Sequence, residues 1–407
     1  MREKTRSIYV DSTRVTRFLV IMVLVGLAHG LYKGVQDNYL AELVMVNEFE
    51  RGIVEFFREM PGLLLIFVLA TMYRLSETKV FKIGMAITLT GMLGLLLFGT
   101  GKVIVVVFLV IYSLGEHIVL PLKSTMSLHL AKSGKGGASL GVTTSINQAG
   151  NIVGYLVVSA LFFLYPRIGV AKDSLAGFKL IFLLVTILLT GATLVSFAMR
   201  DEGRSVKRNR LYFARKFGKY YGLEMFYGAR KQVFFTFAPY VLILHYGADA
   251  LVISLLMAIS AIFGMLLSPL IGRLIDRLGY KTIMVSDTLV LIIVCFFYGF
   301  SHRLFPHDIA FIVVCVNYVL DSVISHAAIA ASVYVQDIAK DQHEVAATLT
   351  TGVSVNHLIS VLIALLGGYI WKVTGIEVLF TMSAVLGLIN SIFAATIKVP
   401  NKTQVTN

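Results

Sequence analysis

A chain of 407 residues that is 57% hydrophobic and only 14% charged is far from an ordinary soluble domain, in which charged residues supply about a quarter. Its net charge of +13 does not mark a nucleic-acid binder, because the cations sit in short stretches between long apolar runs. That distribution is the positive-inside pattern of a membrane protein, with anionic lipid headgroups as the neighbours of its basic loops.

Windows of about 20 apolar residues recur along the whole length, and each is long enough to cross a bilayer as a helix. The polar start, MREKTRSIYVDSTRVTR, leads into an apolar run too long for a signal peptide, so no removed leader is expected. The spans predict helices at 17–46, 51–73, 79–99, 102–131, 137–165 and 175–199, then, after a basic stretch, at 219–246, 249–273, 281–301, 307–338, 344–372 and 376–397. The expected fold class is therefore an all-α integral membrane protein of twelve transmembrane helices in two six-helix bundles. Residues 1–199 form the first half, 200–218 the linker and 219–407 the second half. The segment Arg200 to Lys219 carries eight Lys or Arg.

Charge predicts the topology. Arg2, Lys4, Arg6, Arg14 and Arg17, then Arg74, Lys79 and Lys82, Lys132 and Lys135, Arg273, Arg277 and Lys281, and finally Lys398 and Lys402 fall on one side. The opposite turns hold Arg51, Lys102, Arg167, Lys172, Arg303 and Lys372. Both termini are thus expected in the cytoplasm, with the plasma or inner membrane as the location.

The halves repeat each other. ASLGVTTSINQ from Ala138 aligns with ATLTTGVSVNH from Ala347 at an offset of 209, which pairs Asn147 with Asn356 and Gln148 with His357. GLYKGV from Gly30 can be laid on GARKQV from Gly228, pairing Lys33 with Lys231, and Arg74, Glu77 and Lys82 lie opposite Arg273, Asp276 and Lys281. Internal repeats of this kind are the mark of an architecture duplicated in one chain.

The turn GRLIDRLGYK, from Gly272 to Lys281, resembles the loop between helices 2 and 3 of the major facilitator superfamily, G-x-x-x-D-R-x-G-x-K, at Gly272, Asp276, Arg277, Gly279 and Lys281. The resemblance implies a carrier whose two halves rock about a midplane site by alternating access. It also implies a gating role for these residues, for Arg273 and for the weaker copy at Arg74, Glu77 and Lys82. Asp276 and Glu77 would lie at the ends of helices 8 and 2, against the first turns of helices 5 and 11 of the other half, with Lys281 and Lys82 restraining the same turns.

Ionisable groups at bilayer depth are costly and so are candidates for function. Lys33 and Asp37 lie one turn apart on helix 1, and with Gln36 they can meet a solute. Arg230 and Lys231 on helix 7 extend a cationic surface suited to an anionic solute. Asn147, Gln148 and Asn151 on helix 5, with Asn356, His357 and Ser360 on helix 11, form two polar stripes. A carboxylate whose cationic partner is drawn away can pick up a proton, and Asp37, Glu116 and Asp321 are the candidates for coupling. Glu224 and Asp287 are further carboxylates at depth.

His326 and His357 lack a third spaced ligand, no P-loop occurs, and Cys295 and Cys315 are unpatterned, so no metal, cofactor or ATP drive is expected. The expectation is a monomeric secondary transporter, not an enzyme, of a small anionic organic solute, coupled to a proton or another ion. Export of amphipathic or lipid-like compounds is the alternative, and a sensor that keeps the fold without turnover is the alternative of another class. Helix 4 lacks the arginine, and helix 5 the proline, of the superfamily's drug/proton exporters.

Overall fold

The computed structural model describes residues 8–10, 13–72, 74–201, 203 and 212–399. Arg2, Lys4, Arg6 and Lys402, and most cations of the linker, lie outside the described residues.

Twelve helices run through the described residues. They are α1 (Thr13–Leu43), α2 (Glu48–Thr71), α3 (Glu77–Phe98), α4 (Lys102–Leu130), α5 (Gly136–Ile168), α6 (Leu175–Phe197), α7 (Gly218–Tyr246), α8 (Ala250–Leu278), α9 (Tyr280–Leu304), α10 (His307–Ile338), α11 (Gln342–Thr374) and α12 (Ile376–Ala395). Ten are long and apolar enough to cross a membrane. The other two, α2 and α7, span 24 and 29 residues, which is enough length at about 1.5 Å per residue, but each carries several charges.

By their contacts the residues group into two units. The first comprises Met1–Val46, Phe57–Lys207 and Ala248–Ala258, and the second Asn47–Phe56, Arg208–Gly247 and Ile259–Asn407.

In the first unit α1 packs on α5 and α6, while α3 packs on α4 and α6. The α1–α5 contact is set by glycine: a Cβ at Gly26 or Gly30 would collide with the carbonyl oxygen of Asn147 or Asn151, and Gly150 and Gly154 return the same close approach. Lipid supplies no hydrophobic drive between helices, so small residues that let backbones meet take its place. Tyr9, ahead of α1, is 1% exposed. Its hydroxyl donates to the carbonyl of Ser139 at 3.0 Å, beside a Ser127, Ser139 and Thr143 hydroxyl cluster, and its backbone bridges to Ala131.

The second unit repeats that pairing: α7 packs on α11 and α12, and α9 on α10 and α12. The match extends to single bonds. Arg17, at the start of α1, donates to the carbonyl of Ala198 past the end of α6, and Lys219, at the start of α7, donates to that of Thr396 past α12. Both cations satisfy carbonyls left free at a helix C-terminus.

Three helices depart from regularity, α5 by ending in a 3-10 turn, Tyr165–Ile168. α1 ends in a π-helical turn, Tyr39–Leu43, and α10 is interrupted by one 3-10 turn, Ser325–Ala328.

Candidate functional site

In the first unit the polar residues of α1 and α4 meet. His29 Nδ1 lies 2.9 Å from Glu116 Oε1, and the Tyr112 hydroxyl donates to the same oxygen at 3.1 Å. Tyr112 in turn packs against Tyr32, with ring centroids 4.6 Å apart. One turn along α1 from His29, Lys33 Nζ donates to Gln36 Oε1 at 2.8 Å, and the buried Gln36 Nε2 has no hydrogen-bond partner among the described residues. Both ends of the His29–Glu116 pair keep partial exposure, 33% and 26%. Sequence reading found Glu116 and missed His29 and Tyr112. Spacing held the missing signal, since His29 is four residues before Lys33 and Tyr112 four before Glu116, each on its partner's helix face.

The helix 5 stripe divides. Asn147 donates to the carbonyl of Met22 on α1 at 3.3 Å, and Asn151 donates to Gln148 Oε1 at 3.3 Å. Its counterpart Asn356 donates to the backbone carbonyl of Glu224 at 3.5 Å and to that residue's carboxylate at 3.2 Å. Asn147 and Asn356 thus make the equivalent bond in each unit, tying α5 to α1 and α11 to α7, which is interhelical bonding of the usual membrane kind.

In the second unit Arg230 is buried and donates to Asp287 Oδ2 at 2.9 Å. The open cationic surface expected at Arg230 is therefore a neutralised pair: a guanidinium at this depth needs a carboxylate, and α9 supplies one. Arg230 also lies over the ring of Tyr227 at 5.2 Å. Lys231 is exposed and feels Glu224. Asp321, on the half of α10 before its 3-10 turn, is half-buried, and its carboxylate has no hydrogen bond or ion pair among the described residues.

The gating expectations are corrected in part. Glu77 does not end helix 2. It lies in the first turn of α3, whose N-cap is Ser76, and pairs within its own unit with His129 at the end of α4, 2.9 Å away. Lys82 donates to the carbonyl of Met199 at 2.8 Å, sealing the end of α6 rather than the α2–α3 turn. The second copy is the better turn: Gly279 alone separates α8 from α9 and takes φ +82°, a backbone region glycine enters without penalty. Asp276 is exposed with no hydrogen bond or ion pair among the described residues, and Arg273 and Arg277 are exposed too. Arg51, expected in a turn, is 1% exposed inside α2, paired at 2.8 Å with Glu55, which also accepts from Gln232 of α7 at 3.2 Å.

Outside the spans, Asp201 accepts from the Ser76 hydroxyl and from the Gly203 N–H at 3.0 Å, with Lys79 at 3.6 Å. Those bonds favour its charged form and hold its carboxyl below the usual range.

The fold is shared with solved structures. The nucleoside transporter NupG aligns at TM-score 0.72 and 14% identity over 95% of this chain and 100% of its own. A bacterial homologue of the iron transporter ferroportin aligns at TM-score 0.74 and 14% identity over 95% and 100%. A D-xylose-proton symporter aligns at 0.73 and 15% over 94% and 98%. Residues 221–407 match the sequence model of the Major Facilitator Superfamily, while no curated protein matches the chain by sequence. Twelve helices, the duplicated packing and that match define a multi-pass membrane transporter of the facilitator type. Over residues 221–407 the chain is similar to the Major Facilitator Superfamily, and its fold is the one seen in these transporters.

Proposed function

We propose that the chain is a proton-coupled secondary transporter that moves a small organic solute by alternating access of its two halves, 1–199 and 219–407, about the linker 200–218. The observation that carries the reading is the His29–Glu116–Tyr112 cluster, with Lys33 one turn further along α1. A carboxylate and an imidazole sharing a bond at membrane depth, both partly exposed, can exchange one proton as their surroundings alternate. Lys33 would meet an anionic group of the solute, with Gln36, whose buried amide N–H₂ has a donor to spare, as its neighbour. Asp276, Arg277 and Lys281 would act at the cytoplasmic turn, where Asp276 is free to find a partner in another state. Both termini are proposed to be cytoplasmic.

The test is uptake by protein reconstituted in liposomes, with and without an imposed proton gradient, of solutes first chosen by thermal stabilisation of the purified chain. Uptake driven by the gradient is the expected result. Ligand binding with no uptake under any gradient would favour a sensor instead.

A further inference from the structure

Resting on the transport reading, we propose that the second unit holds a subsite for a positively charged amine group of the solute, at the break in α10. A cavity lies there, walled by Glu224 and Tyr227 of α7, Asp287 of α9, Asn390 of α12 and, from the 3-10 turn itself, Ala327 and Ala328. A stretch of 3-10 helix inside a longer helix tightens its turns and often marks a functional hinge or a strained position. The carbonyl of Ser325 in this turn takes a hydrogen bond from the Tyr227 hydroxyl at 3.0 Å, which fixes the Tyr227 ring on the cavity wall.

The polar lining selects the charge. Glu224 and Asp287 present carboxylates. Asn390 is only 6% exposed, yet its amide makes no hydrogen bond among the described residues and its oxygen is unpartnered. A buried amide with no partner is a standing cost unless a ligand supplies the missing bond. Asp287 is already paired with Arg230 at 2.9 Å, which leaves the Glu224 carboxylate as the acidic group of the lining without an arginine partner. An ammonium group would supply N–H donors to the unpartnered Asn390 oxygen and to the Glu224 carboxylate. The Tyr227 ring, already stacked on the Arg230 guanidinium, shows that a cation is accommodated on this wall.

Purified protein in detergent is titrated with propylammonium, propionate and 1-propanol, one probe each for cation, anion and neutral isostere, while the melting temperature is followed. A saturable rise with propylammonium alone is expected, and Glu224→Gln, which keeps the shape of the side chain, should weaken it at least tenfold. Asn390→Ala removes no bond of the unliganded fold, so it serves as a second variant should Glu224→Gln fail to fold, and it too should weaken the amine. Equal stabilisation by propionate or propanol, or undiminished propylammonium binding in a folded variant of either residue, would overturn the subsite. Amine binding in protein that moves no solute in liposomes would leave the subsite standing and remove the transport reading alone.

Discussion

His29 Nδ1 and Glu116 Oε1 lie 2.9 Å apart between α1 and α4, and Glu116 also accepts from Tyr112. A carboxylate in that setting should be the coupling group. Glu116→Gln keeps the size and one acceptor but cannot titrate, so it is expected to cut gradient-driven uptake at least tenfold. Exchange of solute between two pools without a gradient should survive. Unchanged gradient-driven uptake by the variant would refute the coupling role.

Arg230 and Asp287 form a pair whose side chains are 3% and 9% exposed. Removing one partner leaves a buried charge, which costs about 3–5 kcal/mol, whereas replacing both by apolar residues of similar volume is often neutral. Asp287→Asn should therefore lower the melting temperature sharply, and Arg230→Met with Asp287→Leu should recover most of the loss. Equal melting temperatures for the single and double variants would show that the pair is not held by charge.

At Gly30 a methyl group would meet the carbonyl oxygen of Asn151, a backbone atom that cannot swing aside. Gly30→Ala should force α1 away from α5 at about 1–3 kcal/mol or more. At Gly101 a Cβ would meet nothing, so Gly101→Ala is the control. Melting curves of both variants decide it, and equal stability would contradict the close approach.

The lowered pKa of Asp201 links stability to acidity. A carboxyl whose folded pKa is depressed stabilises the fold fully above its unfolded value, about 3.9, and the contribution is lost as pH falls through the lower folded value. Wild type should thus exceed Asp201→Asn in melting temperature by a constant margin at neutral pH, with the margin closing only below the ordinary aspartate range. The side chain is partly exposed and screened, so about 2 °C or less is expected. A margin that does not change with pH would rule out ionisation as its source.

Much of the fold was legible because bilayer depth imposes a length on every spanning segment and a repeat imposes a second copy of every rule. The offset that pairs Asn147 with Asn356 came from sequence, and in space the two residues make the same bond to α1 and α7. Gly279 was legible as a turn glycine from the motif, but the length of the turn was not: helices expected to end at 273 and to start at 281 run to Leu278 and from Tyr280. Arg51 was not legible, because a charge near the predicted edge of a helix reads as a turn residue until its carboxylate partner is seen. Nor was Glu77: its charge order resembled that of Asp276, but its partner His129 is distant in the chain.

The residues alone determined the superfamily resemblance of the turn from Gly272 to Lys281, the helix count and the internal duplication, since each depends on local composition and spacing. Pairing was decided only by tertiary structure. Whether Arg230 is an open cation or half of an ion pair depends on Asp287, 57 positions along the chain, and whether Asn390 has a partner depends on what lines the break in α10. Charges in a low-dielectric interior take their meaning from neighbours a few ångströms away, and in this chain those neighbours come from other helices.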